Sequence, residues 1–145
     1  MKALLQRVNN ASVTVDGVVV GAIKSGTLAL VGVEPDDNVA RAERLAQRML
    51  SYRMFPDDQG RMNCSLADVG GGLLLVSQFT LVADTRKGNR PGFSTAAPPA
   101  VAQPLFEHLV QCCRHGLPMV ETGRFGADMQ VALVNDGPVT FWLSA

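Results

Sequence analysis

Two short stretches of this sequence combine residue types that could do chemistry. Ser77-Gln78-Phe79-Thr80 puts two hydroxyls and a carboxamide into the most apolar run of the chain, Leu73 to Val82 (LLLVSQFTLV). Polar side chains within a buried strand each need a partner or water. Strand alternation would send Ser77 and Phe79 to one face and Gln78 and Thr80 to the other. Two readings stand: a strand end emerging from the core, or a polar lip on a pocket. A nucleophilic Ser77 or Thr80 needs an adjacent base. The only histidines, His108 and His115, fall in or just after a helical stretch and read as surface residues. No Ser-His-Asp set can be assembled, so side-chain triad catalysis is the weaker option.

The second stretch is NDGPVTFWLSA, residues 135–145. Val139 to Leu143 is rich in strand formers, yet two strand breakers, Gly137 and Pro138, stand at its mouth. One reading is a chain reversal at Asn135-Asp136-Gly137, with Pro138 opening an edge strand. The other is that Gly137-Pro138 presents backbone atoms to a ligand, because glycine permits close approach and an X-Pro bond can be cis. Such a device would read the shape of a substrate.

The elements that must hold these stretches are mostly strands. Lys2 to Val8 alternates loosely, and Ala11 to Val15 runs through Asp16-Gly17 into Val18 to Ile23, a hairpin signal. Thr27 to Val33 is a continuous apolar run, as in a strand buried on both faces. From Asp36 to about Met54 the apolar residues recur at helical spacing, with Asp36 or Asp37 as cap and Phe55-Pro56 as stop. Arg41, Arg44 and Arg48 fall on the outer side of that helix. DDQG at 57–60 and GGG at 70–72 read as turns, with a weak strand or irregular loop between them. The loop at 83–99 is rich in Gly, Pro and basic residues. A second helix is expected from about Pro99 to His115, with Val101, Leu105, Leu109 and Cys112/Cys113 inward. Pro104 either kinks that helix or marks the start of its regular part. Pro118 to Thr122, Asp128 to Val134 and Val139 to Leu143 read as strands. The order argues a single α+β domain over 1–145, largely antiparallel, with two main helices.

Composition excludes several classes. At 145 residues, 47% hydrophobic and 18% charged, the chain fits one ordinary globular domain. Zero formal net charge gives no footprint of a non-specific nucleic-acid binder, so RNA contact would use a local patch. The N-terminus has no signal-peptide pattern, and no run reaches the roughly 18 apolar residues of a membrane span. Cys64, Cys112 and Cys113 form neither a disulfide framework nor a zinc pattern, and no histidine pattern supports a catalytic cysteine. A reduced, cytoplasmic protein is the expectation.

SQFTL at 77–81 together with NDGPVT at 135–140 resembles the paired signature of the D-aminoacyl-tRNA deacylases. LLQRVNNASVTVDG near the N-terminus, RKGNRPGFS at 86–94 and TGRFGADMQVALVNDGPVTFWL near the C-terminus extend the likeness over essentially the whole chain. The resemblance implies a barrel-like homodimer whose active sites lie at the subunit interface, acting on the 3′ end of aminoacyl-tRNA without cofactor, metal or membrane. It implies a cis Gly137-Pro138 bond, inserted into the partner's site as a filter that leaves no room for an L side chain. Glycine has nothing to reject, so glycyl-tRNA, including glycine mischarged on tRNA-Ala, is an expected substrate. Ser77, Gln78, Phe79 and Thr80 would line the pocket for the terminal adenosine and the ester. Water activation by the tRNA 2′-hydroxyl, with backbone groups on the oxyanion, ranks above a nucleophilic Thr80. Arg7 matches the residue that braces the Gly-Pro loop, and Phe125 and Met129 match pocket walls. Lys87 and Arg90 are the candidates for phosphate contact. A small-ester hydrolase independent of tRNA and a non-catalytic nucleotide-binding module remain as rivals.

Overall fold

In the computed structural model, residues 1–145 form strands β1 (Lys2–Val15), β2 (Val18–Ile23) and β3 (Gly26–Gly32), then helix α1 (Val39–Ser51). A small hairpin, β4 (Phe55–Pro56) with β5 (Met62–Cys64), precedes the short helix α2 (Leu66–Val69). Strand β6 (Gly72–Ser77) leads into a 3₁₀ turn at Phe79–Val82. Helix α3 (Pro99–Gly116), β7 (Val120–Thr122) and β8 (Gln130–Ser144) complete the chain.

The main sheet runs β2-β1-β3-β6-β7, with β8 on the other edge of β1. The hairpin at Asp16-Gly17 forms as expected, both residues having positive φ (50° and 78°), which suits the twist of the flanking strands. β1 pairs antiparallel with β2, β3 and β8, while β3–β6 and β6–β7 are parallel. Parallel neighbours need a crossover, supplied here by the segments that contain α1 and α3. The sheet is thus mixed. It rolls until β2 packs beside β6 and β7, giving a nearly closed barrel in a single domain.

Two apolar clusters explain the closure. In β6, Leu73 and Leu75 face α1 and α3, while Leu74 and Val76 face Val8, Val13, Ile23 and Leu28 inside the barrel. A strand covered on both sides reads as a continuous apolar run, which is why LLLV stands out. Across the outer layer, α3 buries Ala102, Leu105, Phe106, Leu109, Val110 and Cys113, a helical stripe against the α1 set Ala42, Leu45, Ala46 and Met49. Each fully buried leucine contributes about 1.5–3 kcal/mol.

Several sequence expectations need correction. Lys2 to Val15 is one strand, not two, with register shifts at residues 6–10 where its ladder with β8 is interrupted. Helix α1 is capped by Asn38, whose side chain accepts from the Arg41 N–H at 3.1 Å, and it ends at Ser51. Asp37 is instead buried, accepting from the Met1 ammonium, the Glu34 N–H (2.7 Å) and Arg41 (3.2 Å). A third helix, α2, lies in the stretch read as weak strand or loop; Ser65 and Asp68 cap each other reciprocally to start it. Pro104 sits inside a continuous α3 that begins five residues earlier. Pro104 is exposed, so its ring meets solvent, and Val101 is also exposed rather than inward.

Candidate active site

A cleft of about 600 Å³ opens where β6 ends. Ser77 reaches it from the strand, and the chain then leaves the sheet. Gln78 (φ −142°, ψ 83°) donates its N–H to the Val31 carbonyl at 2.7 Å, and Phe79–Val82 wind into the 3₁₀ turn. The expected strand from Leu73 to Val82 therefore stops at Ser77. A 3₁₀ turn advances three residues per revolution, so two-residue alternation fails. Ser77, Gln78 and Phe79 all line the cleft, whereas Thr80 is exposed outside it and accepts from the Gln78 carboxamide.

Two loops complete the walls. The first, at 83–98, is closed at its base by paired backbone bonds between Asp84 and Gly92 (2.8 and 2.9 Å). The Thr95 hydroxyl donates to the Val82 carbonyl at 2.6 Å, and the Ala97 N–H donates to Val33 at 2.9 Å. These bonds fix Phe93, whose ring lies 5.2 Å from that of Phe79 at the cleft mouth. The second loop joins β7 to β8 and places Phe125 to Met129 in the wall, with Phe125 packed on Phe106 of α3 (6.1 Å). Arg86 clasps Asp84 through two nitrogens (2.7 and 2.8 Å), holding that carboxyl well below the usual carboxylate range. Lys87 and Arg90 are exposed on the same loop, outside the cleft lining and without ion pairs.

Gly137 and Pro138 lie elsewhere. No chain reversal occurs at Asn135-Asp136-Gly137, since β8 continues through it. Its ladder with β1 passes from Val8↔Asn135 to Gln6↔Thr140, five steps on β8 against two on β1. Residues 136–139 therefore bulge from the sheet, where a proline lacking an N–H breaks no ladder bond. The Gly137-Pro138 bond is cis, and both residues are exposed. Gly137 has φ 139°, a conformation that favours glycine, and a Cβ there would lie 2.6 Å from Val139 Cγ2.

Two side chains grip the bulge. Arg7 Nε donates to the Asp136 carbonyl (3.1 Å) and lies 3.2 Å from its carboxylate, while Arg7 Nη1 donates to the Met54 carbonyl (2.8 Å). Asn135 Oδ1 accepts from the Val139 N–H (2.9 Å), and its Nδ2 donates to Thr140 Oγ1 (3.0 Å).

The fold thus gathers Ser77, Gln78, Phe79, Phe125 and Met129 around one cleft. Thr80, Arg7, Gly137, Pro138, Lys87 and Arg90 stay outside its lining. Sequence reasoning took Asn135 only as a turn residue and gave no role to Phe93 or Asp128, the one charged residue in the cleft wall. The usable signal was an aromatic in a Gly/Pro-rich loop. Neither histidine is near: His108 pairs with Glu43 (3.2 Å), and His115 bonds the Gln111 carbonyl (2.7 Å).

Fold and cleft together define a barrel protein with a mostly apolar cavity, a polar lip and no nucleophile–base pair of its own. The chain belongs to the D-Tyr-tRNA(Tyr) deacylase family, whose model matches residues 4–144. It is 67% identical over 144 residues to a D-aminoacyl-tRNA deacylase of Xanthomonas axonopodis pv. citri, covering 99% of each chain. It is 62% identical to one of Pseudomonas aeruginosa over the full length of both. Among solved structures, a c-Myc DNA unwinding element binding protein matches with TM-score 0.95 at 38% identity, covering 100% of this chain and 99% of that one. A probable eukaryotic D-amino acid tRNA deacylase, 16% identical with TM-score 0.86, shares the fold over 99% of this chain and 98% of its own. Family membership makes this protein a hydrolase.

Proposed function

We propose that the protein hydrolyses the ester between a D-amino acid and the 3′-terminal ribose of tRNA, and spares L-aminoacyl-tRNA. The D-aminoacyl-tRNA deacylase activity follows the family and its full-length relatives. The cleft receives the terminal adenosine and the ester, with Ser77, Gln78 and Phe79 at its lip and Phe125 and Met129 in its wall. The reaction places the protein in the cytoplasm, where charged tRNA is made and used.

The observation that carries the chiral reading is a separation. The cleft opens on one part of the subunit, while Gly137-Pro138 protrudes from another, exposed and braced by Arg7 and Asn135. A rigid backbone projection that lies outside the lining of the cleft fits insertion into the cleft of a second copy. There the carbonyls of Gly137 and Pro138 meet the α-amino group, and their bulk occupies the space that an L side chain needs. Selection by exclusion leaves glycyl-tRNA, including glycine mischarged on tRNA-Ala, as a substrate.

For the chemical step, no cleft residue is paired with a base, and Thr80 contacts only a carboxamide. This favours water activated by the substrate's own 2′-hydroxyl. The 3₁₀ turn starts at Phe79, and the first N–H groups of such a turn have no carbonyl partner inside it. They are available to an oxyanion. Lys87 and Arg90 are assigned to the phosphates that follow the terminal nucleoside.

Mixed dimers test the arrangement. One chain carries Ala102→Trp, which fills the cleft, and the other carries Gly137→Ala with Pro138→Ala; each homodimer is expected to lose selective D-Tyr-tRNA cleavage. A heterodimer purified with two tags regains one working site if the loop acts across the interface. If it stays as inactive as its parents, the loop does not act in trans.

A further inference from the structure

We propose that Arg124 is a phosphate-contacting residue of the cleft, binding the phosphodiester on the 5′ side of the terminal nucleoside. The inference rests on the deacylase reading and assigns a residue that the motifs leave without a role. Arg124 immediately precedes Phe125, which lines the cleft. Its backbone is fixed on both sides. The Gly123 N–H donates to the Leu75 carbonyl of β6 at 3.0 Å, and the Ala127 N–H donates to the Arg124 carbonyl at 3.2 Å, closing a turn with Gly126 at φ 74°. The guanidinium itself is exposed and makes no hydrogen bond or ion pair. Arg7, Arg41, Arg48 and Arg86 are each engaged with a carboxylate or carbonyl, whereas Arg44, Arg53, Arg61, Arg90 and Arg114 share the lack of a side-chain partner. What sets Arg124 apart is its place next to the cleft wall.

Charge around the cleft gives the location. The wall holds one ionisable side chain, Asp128, four residues after Arg124 on the same loop. A carboxylate in the wall repels a phosphate from the interior, while an unpaired guanidinium on the loop attracts it to the rim. The uncharged nucleoside and the ester then occupy the cleft, and the first phosphodiester remains outside. A guanidinium fork matches phosphate oxygens in a two-bond geometry that an ammonium cannot. Lys87 and Arg90, exposed outside the lining, sit on the other wall loop, so each of the two loops carries exposed cations in a protein without net charge.

The experiment compares wild type, Arg124→Gln, Arg124→Lys and Arg114→Gln, the last at the far end of α3. Two substrates are used: D-Tyr-tRNA across a KCl series, and the 3′-D-tyrosyl ester of adenosine, which has no phosphodiester. On D-Tyr-tRNA, Arg124→Gln is expected to raise KM by about tenfold at low salt, with kcat kept. It should also reduce the slope of log(kcat/KM) against log[KCl] by about 0.7, one single-strand phosphate. Arg124→Lys recovers the slope but only part of the KM, and Arg114→Gln behaves as wild type. On the adenosine ester, Arg124→Gln and wild type have equal KM. An unchanged salt slope in Arg124→Gln, or an equal loss on both substrates, overturns the proposal while leaving the deacylase intact. Failure of wild type itself to cleave D-Tyr-tRNA overturns the underlying reading instead.

Discussion

Arg7 shows how one side chain links the sheet to the loop. It lies largely buried on β1, opposite the break in the β8 ladder, and spends two nitrogens on the Asp136 and Met54 carbonyls. Arg7→Ala frees Asp136 and leaves the Met54 carbonyl without its donor, at about 1–3 kcal/mol for such a group. A misplacement of about 1 Å in a positioning element can cost around a hundredfold in rate. We therefore expect Arg7→Ala to lower D-Tyr-tRNA release by about 10- to 100-fold and to narrow the gap between D and L substrates. Aminoacyl release from both isomers checks this; an unchanged D/L ratio would separate Arg7 from the filter. The resemblance pointed to Arg7, but its second contact, to Met54 between α1 and β4, carried no sequence signal because the partner is a backbone atom. Asn135 was missed for the same kind of reason: its partners, Val139 N–H and Thr140 Oγ1, meet it only because the strand bulges.

Among elements, those governed by one periodicity were legible. The Asp16-Gly17 hairpin, the stripe of α1 and the doubly buried β3 follow from the residue pattern alone. Elements where a tertiary contact decides were not. LLLVSQFTLV is apolar throughout, and apolarity reports burial but not whether the chain stays straight. The turn at Gln78 is set by its bond to Val31 and by packing of the 3₁₀ turn over Gly32, whose missing Cβ leaves room for Val82. In the same way, Gly137-Pro138 looked like a strand terminus because a bulge and a break carry the same local residues. Helix α3 supplies a test of its packing. Burial pushes the Cys113 thiol up to about 12, with neighbouring Cys112 adding to the shift. Cys113 therefore keeps its proton in the folded state while the unfolded chain releases it near 9.0. That contribution to stability is complete below pH 9 and is lost as pH rises from 9 toward 12. Urea midpoints should fall between pH 8 and pH 10.5, and fall less in Cys113→Ala. Equal falls in both proteins would show that another group sets the alkaline limit.

On the scale of the whole molecule, the cleft lining and the Gly137-Pro138 bulge have no residue in common. The proposed homodimer would bring the two together, the loop of one copy entering the cleft of the other. The family and the α+β barrel were readable from sequence, because the motif pair and its flanks recur along the full length. The relative placement of cleft and loop was not, since it depends on how the sheet rolls and where β8 breaks register. The central claim is selection by exclusion, and the most direct measurement is amino-acid release from matched D-Tyr-tRNA, L-Tyr-tRNA and Gly-tRNA by the wild-type protein. The account predicts rapid release from the D and glycyl substrates with the L substrate intact. Release from L-Tyr-tRNA at a rate comparable to D-Tyr-tRNA, or protection of Gly-tRNA alongside L, would contradict it.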